Sequence, residues 1–192
     1  KVREILDSMQ KLELTVLDTS EPELSYIFKH VFTQEVAYDS LPYATQAMLH
    51  EAIGEYIERE FADALDEYTN ILAHHYEHSE NEDKKRHYLC MAGEAAQRDY
   101  ANNAAIEYYQ KVLPLLPDQE QVRVRLNLGK VLELIGDWDQ AGDTYKTVLT
   151  QAKILGDIEG QAWGETTMAE FFRKQGRFDE SSKRLLRGKE LF

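Results

Sequence analysis

Apolar residues in the second half of the chain recur at i, i+3, i+4 and i+7, the spacing of one helix face. Three windows with this pattern align without gaps: Ala92–Leu113 (AGEAAQRDYANNAAIEYYQKVL), Leu128–Leu149 (LGKVLELIGDWDQAGDTYKTVL) and Met168–Lys189 (MAEFFRKQGRFDESSKRLLRGK). Each predicts a helix, a tight turn and a second helix. Small residues stand at Gly93, Gly129 and Ala169, where two helices must approach closely. Tyr100, Gly136 and Gly176 share the turn column, and Asn102, Trp138 and Phe178 follow two positions later. Ala105, Ala141 and Ser181 form a second small column; Tyr109, Tyr145 and Leu185 form a large one. Gly136 and Gly176 suit a left-handed helix end, and Asp137 and Asp179 a helix start. The repeats are placed near 86–119, 122–158 and 162–192, the last lacking a large residue at Gly188, with an extra helix near 67–79. Such a pair cannot bury its apolar face alone, so neighbours stack.

The first sixty residues follow another rhythm. Val2–Gln10 is amphipathic. Leu12–Asp18 and Leu24–His30 alternate apolar and polar positions around TSEP, which predicts a hairpin. Helices over Val31–Leu41 and Tyr43–Phe61 follow, divided by Pro42. The predicted domains are 1–62 and 63–192, in an all-α fold with one small hairpin.

Charge narrows the choice of partners. Residues 1–80 hold 5 Lys/Arg against 17 Asp/Glu, residues 81–170 hold 10 against 15, and residues 171–192 hold 7 against 3. A net charge of −13 repels phosphate backbones and argues against nucleic acid. No apolar run reaches the roughly 18–20 residues of a membrane helix. The one cysteine, Cys90, sits among apolar neighbours, which fits a reducing cytoplasm and a packing role.

The small-and-large order of the windows resembles the tetratricopeptide repeat, and implies an α-α superhelix. The string YIFKHVFTQEVAYDSLPYATQAMLHEAIGEYIE is similar to a pattern, F-K/R-H-x-L/F-x-Q-E-x-x-Y-x-S-L and then L-H, that joins ATPase module to helical repeats in STAND-class signalling ATPases. That class includes relatives of LuxR-type regulators and of class III adenylate or guanylate cyclases. Phe28, Lys29, His30, Phe32, Gln34, Glu35, Tyr38, Ser40, Leu41, Leu49, His50 and Glu58 carry the match. Thr45 and Gln46 stand where that class usually has arginine. The resemblance implies a winged-helix-like segment over 1–62, an ATPase domain preceding Lys1, and a sensor or scaffold role for the repeats. On this reading both ends of the sequence are cuts from a longer chain, with apolar surface at Leu185, Leu186 and Phe192 able to drive homo-oligomers.

Chemistry-bearing motifs are sparse. There is no phosphate-binding G-x-x-x-x-G-K, no G-x-S-x-G and no paired-cysteine metal motif. AHHYEH places His74 and His78 on one helix face, but H-E-x-x-H needs its glutamate beside the first histidine, and His75 stands there. A metal-dependent hydrolase on His74 and His78 is the remote alternative. His75, His30 and His50 are read as packed rings, and Glu55 and Glu58 as part of a solvated acidic face. No cofactor, metal or catalytic residue is expected. In a tetratricopeptide superhelix the first helices line a groove, here His87, Glu94 and Arg98, then Arg123, Leu126, Asn127 and Lys130, then Trp163, Thr166, Glu170 and Arg173. Arg98, Arg123, Asn127, Lys130, Trp163 and Arg173 are the candidate contacts for an acidic or carboxylate-bearing partner.

Overall fold

The computed structural model describes residues 2–19 and 25–191. The chain divides into units of residues 1–50 and 51–192. That division falls inside a helix rather than at residue 62, because Gly54 and Glu58 already pack on the helices that follow.

The first unit holds α1 (Val2–Lys11), β1 (Thr15–Thr19), β2 (Ser25–Phe28), α2 (Val31–Asp39) and the start of α3 (Tyr43–Glu60). The strands pair antiparallel, with Val16 opposite Ile27 and Leu17 opposite Tyr26 and an irregularity between Leu17 and Thr19. They are shorter than the alternation suggested: Glu13 takes a positive φ of 57° after α1, and its carboxylate holds Lys29 at 2.7 Å. Most of the TSEP turn, like Phe192, lies outside the described residues. Helix α2 stops at Asp39, and Gln46 donates its side-chain amide to the carbonyls of Tyr38 (2.9 Å) and Leu41 (3.3 Å). The residue standing in place of arginine thus closes a helix end. His50 is buried and shares a 2.9 Å hydrogen bond with the Tyr38 hydroxyl, whereas His30, predicted to be packed, is exposed at the start of α2.

The second unit runs from the rest of α3 through a short 3-10 segment (Ala62–Tyr68) into α4 (Thr69–Glu77), α5 (Glu82–Arg98), α6 (Asn102–Val112), α7 (Asp118–Leu134), α8 (Trp138–Leu155), α9 (Ile158–Lys174) and α10 (Phe178–Leu191). Helices α5, α7 and α9 begin four residues before the predicted repeat starts at 86, 122 and 162. Their caps explain the difference. Asn81 and Asp157 accept the amides of Lys84 (3.1 Å) and Gly160 (2.8 Å), and Pro117 sits at the N-cap of α7.

One packing device recurs. The tyrosine ring of the second helix lies on a glycine of the first, so close that an added Cβ would overlap it: Tyr109 on Gly93, Tyr145 on Gly129. Four residues beyond each glycine, a side chain accepts the tyrosine hydroxyl, Gln97 at 2.7 Å and Glu133 at 2.6 Å. Helices α3 and α4 repeat the device with Gly54, Tyr76 and Glu58, the hydroxyl 2.8 Å from the carboxylate. Where the acceptor is charged, a lysine of a later helix joins it. Lys84 meets Glu58 and Lys174 meets Glu133, both at 2.6 Å, and neutral Gln97 needs none. In the last pair Ala169 is buried but Leu185 is half exposed, and Thr166 closes against Gly188, with its Oγ1 3.2 Å from where a Cβ would stand.

Glu58 is therefore not the solvated carboxylate read from its spacing. Burial alone raises its carboxyl, but hydrogen bonds from Lys84, Tyr88 (2.5 Å) and Tyr76 outweigh it and hold it below the ordinary 4.5. A depressed carboxyl stabilises the fold above its unfolded value and loses that contribution as pH falls through the folded one. Glu58→Gln should thus lower the urea midpoint at pH 7, and the gap from wild type should narrow as pH drops below 4.5; a gap constant with pH would refute the assignment.

Tyr100 carries a φ of +58° where the other two pairs have glycine, and it is 75% exposed. A left-handed non-glycine residue costs about 1–3 kcal/mol, against roughly 0.5–1 kcal/mol for glycine's extra chain entropy. Tyr100→Gly should therefore stabilise the unit by about 1 kcal/mol in chemical denaturation; a loss would show that the ring itself contributes to stability.

Candidate functional site

Helices α7 and α9 present one face each to a shared cavity of about 390 Å³. From α7 come Val122, Arg123, Leu126, Asn127 and Lys130, which spacing of three or four residues puts on one side of the helix. The start of α9 supplies Asp157, Glu159, Gly160, Trp163 and Thr167. Trp163 is 51% exposed, an aromatic surface unusual for a residue of this size.

Four of the six candidate contacts, Arg123, Asn127, Lys130 and Trp163, thus meet in one place. Arg98 does not join them. It lines a separate concavity of about 460 Å³ with Glu94, Gln97, Tyr100 and Leu134, its guanidinium 3.8 Å from Asp99. Arg173 lies exposed in the last turn of α9, outside both cavities. Nor is the groove uniformly basic. Glu94 reaches Arg123 at 3.2 Å, and Asp157 and Glu159 face the α7 cations from the other wall. Mid-helix positions alone do not reveal those acids, because the cap and first turn of α9 also reach the cavity.

Asn127 is half buried. It stands close to Tyr109 of the preceding pair, whose ionisation burial pushes far up. Among the remaining groove positions, His87 packs edge-on against Tyr88 and Thr166 donates to the carbonyl of Ala162.

The histidine cluster on α4 takes a different form from the one predicted. Tyr76 is the fully buried ring, hydrogen-bonded to Glu58, while His75 is half buried and His74 and His78 are exposed. The Nδ1 of His78 lies 2.8 Å from the carbonyl of His74, one turn back. Glu77 is held by Lys111 of α6 at 3.0 Å, so it is bound up in an ion pair instead of poised as a general base. Burial, then the neighbouring His78, lowers the His74 ring below its ordinary value. Cys90 is half buried and its thiol is pushed up by burial, the opposite of an activated nucleophile.

A family described as Tetratricopeptide repeat matches residues 125–159, most of α7 and all of α8. Residues 125–159 are thus similar to a tetratricopeptide repeat, and the helix pairs on either side share its helix–turn–helix form. Among solved structures, RapI in its apo form matches with a TM-score of 0.59 at 14% identity, over 84% of this chain and 47% of RapI. MamA AMB-1 matches in two crystal forms, at 0.52 with 20% identity (84% of this chain, 86% of that one) and at 0.51 with 21% identity (84% and 80%). At these identities the likeness is one of fold. The chain spans about half the length of RapI. A search of curated proteins finds no match. Among the described residues, no helix is long and apolar enough to cross a membrane.

Proposed function

We propose that the helical unit is a protein-interaction module and that the cavity between α7 and α9 receives a segment of its partner. The observation that carries this reading is the meeting of Arg123, Asn127, Lys130 and Trp163 around one 390 Å³ cavity. Concave, partly apolar sites with a few fixed polar groups are where ligands bind. We assign no catalysis to these residues. The resemblance of residues 28–58 to STAND-class ATPases supports a further step: binding at the repeats is relayed through a winged-helix-like segment over 1–62 to an ATPase module of the same chain, in the cytoplasm. Photo-crosslinking tests the docking claim. A benzophenone amino acid at position 127 should trap a discrete partner protein in cells, and the same group at position 150 on α8 should not. Equal adducts from both positions would remove the site.

A second reading is assembly of identical copies without a ligand switch. It is favoured by Phe178, Leu185 and Leu186 of α10, all at least half exposed or close to it. Light scattering distinguishes the two: Leu185→Glu with Leu186→Glu should dissolve such an assembly while leaving crosslinking from position 127 intact.

A further inference from the structure

The two walls of the α7–α9 cavity carry opposite charge and do not neutralise each other. Lys130 and Arg123 stand on α7, Asp157 and Glu159 at the start of α9, and among the described residues no ion pair joins one wall to the other. Arg123 instead meets Glu94 outside the cavity, in an exposed pair of the kind worth about 0–1 kcal/mol and readily exchanged. Asp157 commits one oxygen to the Gly160 amide as helix cap, which leaves Glu159 as the main acid of that wall. Glu159 and Trp163 lie four residues apart, one turn along the same helix face, so a carboxylate stands next to a half-exposed indole. An aromatic face beside a carboxylate is a cation subsite, since ring quadrupole and negative charge attract the same group.

We propose that the segment docked here is of mixed sign: a lysine or arginine of the partner lies on Trp163 against Glu159, and an acidic side chain close to it in sequence meets Arg123 and Lys130. This rests on the cavity being the docking site and specifies its ligand. A purely acidic segment, the expectation from Arg98, Arg123, Lys130 and Arg173, would face Glu159 and Asp157 across the same cavity, and like charges there penalise it. In an extended peptide, residues i and i+2 point to one side about 7 Å apart. Helices in contact are separated by about 8–10 Å between axes, so the two side chains of such a pair can reach one wall each.

The experiment is an NMR titration of the full chain with three blocked tripeptides at matched ionic strength: acetyl-Lys-Ala-Glu-amide, acetyl-Glu-Ala-Glu-amide and acetyl-Lys-Ala-Lys-amide. Shifts at Asn127, Lys130, Glu159 and Trp163 should saturate with the mixed peptide at a concentration at least about tenfold lower than with either other. Glu159→Gln should erase that advantage over the acidic peptide, and Lys130→Gln the advantage over the basic one. Equal or tighter binding of a single-sign peptide, or binding scattered over the acidic surface outside the cavity, overturns the proposal. So does failure of every peptide to bind while position 127 still crosslinks a partner, and that outcome leaves the docking site standing. Loss of the crosslink as well would instead mean that the site itself was wrongly chosen.

Discussion

Replacing Tyr145 with alanine should destabilise the helical unit by about 4 kcal/mol, the range measured when a large buried ring is removed from a core. The ring is wholly buried, lies directly on Gly129 and meets Phe171 edge-on at 5.7 Å between centroids. The surface beneath it is glycine backbone, which offers no side chain to fill the space. Its hydroxyl also donates to Glu133, a nearly buried carboxylate whose other oxygen is held by Lys174. Tyr145→Ala therefore opens a cavity and leaves part of a charged group without its donor. Tyr145→Phe separates the two effects: it keeps the ring and should cost about 1–3 kcal/mol, the penalty for a buried acceptor left without its partner. Urea denaturation followed by circular dichroism gives both values. A loss below about 1 kcal/mol for alanine would mean that the tyrosine-on-glycine contact does not hold the pair together.

The second large effect is on binding. Arg123→Glu combined with Lys130→Glu should weaken the partner by at least about 100-fold, since central charged contacts commonly contribute 2 kcal/mol or more each. Reversal does more than remove attraction: together with Asp157 and Glu159 it makes the cavity acidic throughout. Folding should be little affected, because both side chains are exposed and the Arg123–Glu94 pair is a surface one. The check is an affinity measurement with the partner trapped from position 127, alongside a melting curve. Unchanged affinity in a folded double variant would exclude the cavity as a charged docking site.

The parts of this fold that a linear pattern can carry are visible in it. The glycine and tyrosine columns at 93 and 109, and at 129 and 145, keep a constant spacing because one helix pair of fixed length joins them. The same device in α3 and α4 does not show in that spacing. The 3-10 segment between them lengthens the separation of Gly54 and Tyr76 to 22 residues, and Ala64 breaks the helical backbone inside it. The role of Glu133 is hidden for another reason: its lysine partner is 41 residues away, and no local periodicity joins Glu133 to Lys174. At the site, Arg123, Leu126, Asn127 and Lys130 of α7 line one cavity, whereas Arg98 and Arg173 lie outside it. Arg173 lies more than one turn beyond Thr167, and α5, which carries Arg98, gives the cavity no lining residue, so groove membership in a superhelix depends on height as well as face.

If a partner occupies the α7–α9 face, the two tryptophans of the chain provide an internal comparison. Trp163 lines the cavity, while Trp138 begins α8 and leans on Phe171. Hydroxyl-radical footprinting with and without the captured partner reads both rings in one experiment. Oxidation of Trp163 should fall at least about fivefold on binding while that of Trp138 is unchanged. Oxidation of Trp163 at the same rate in the complex, with protection elsewhere, would contradict docking on that face.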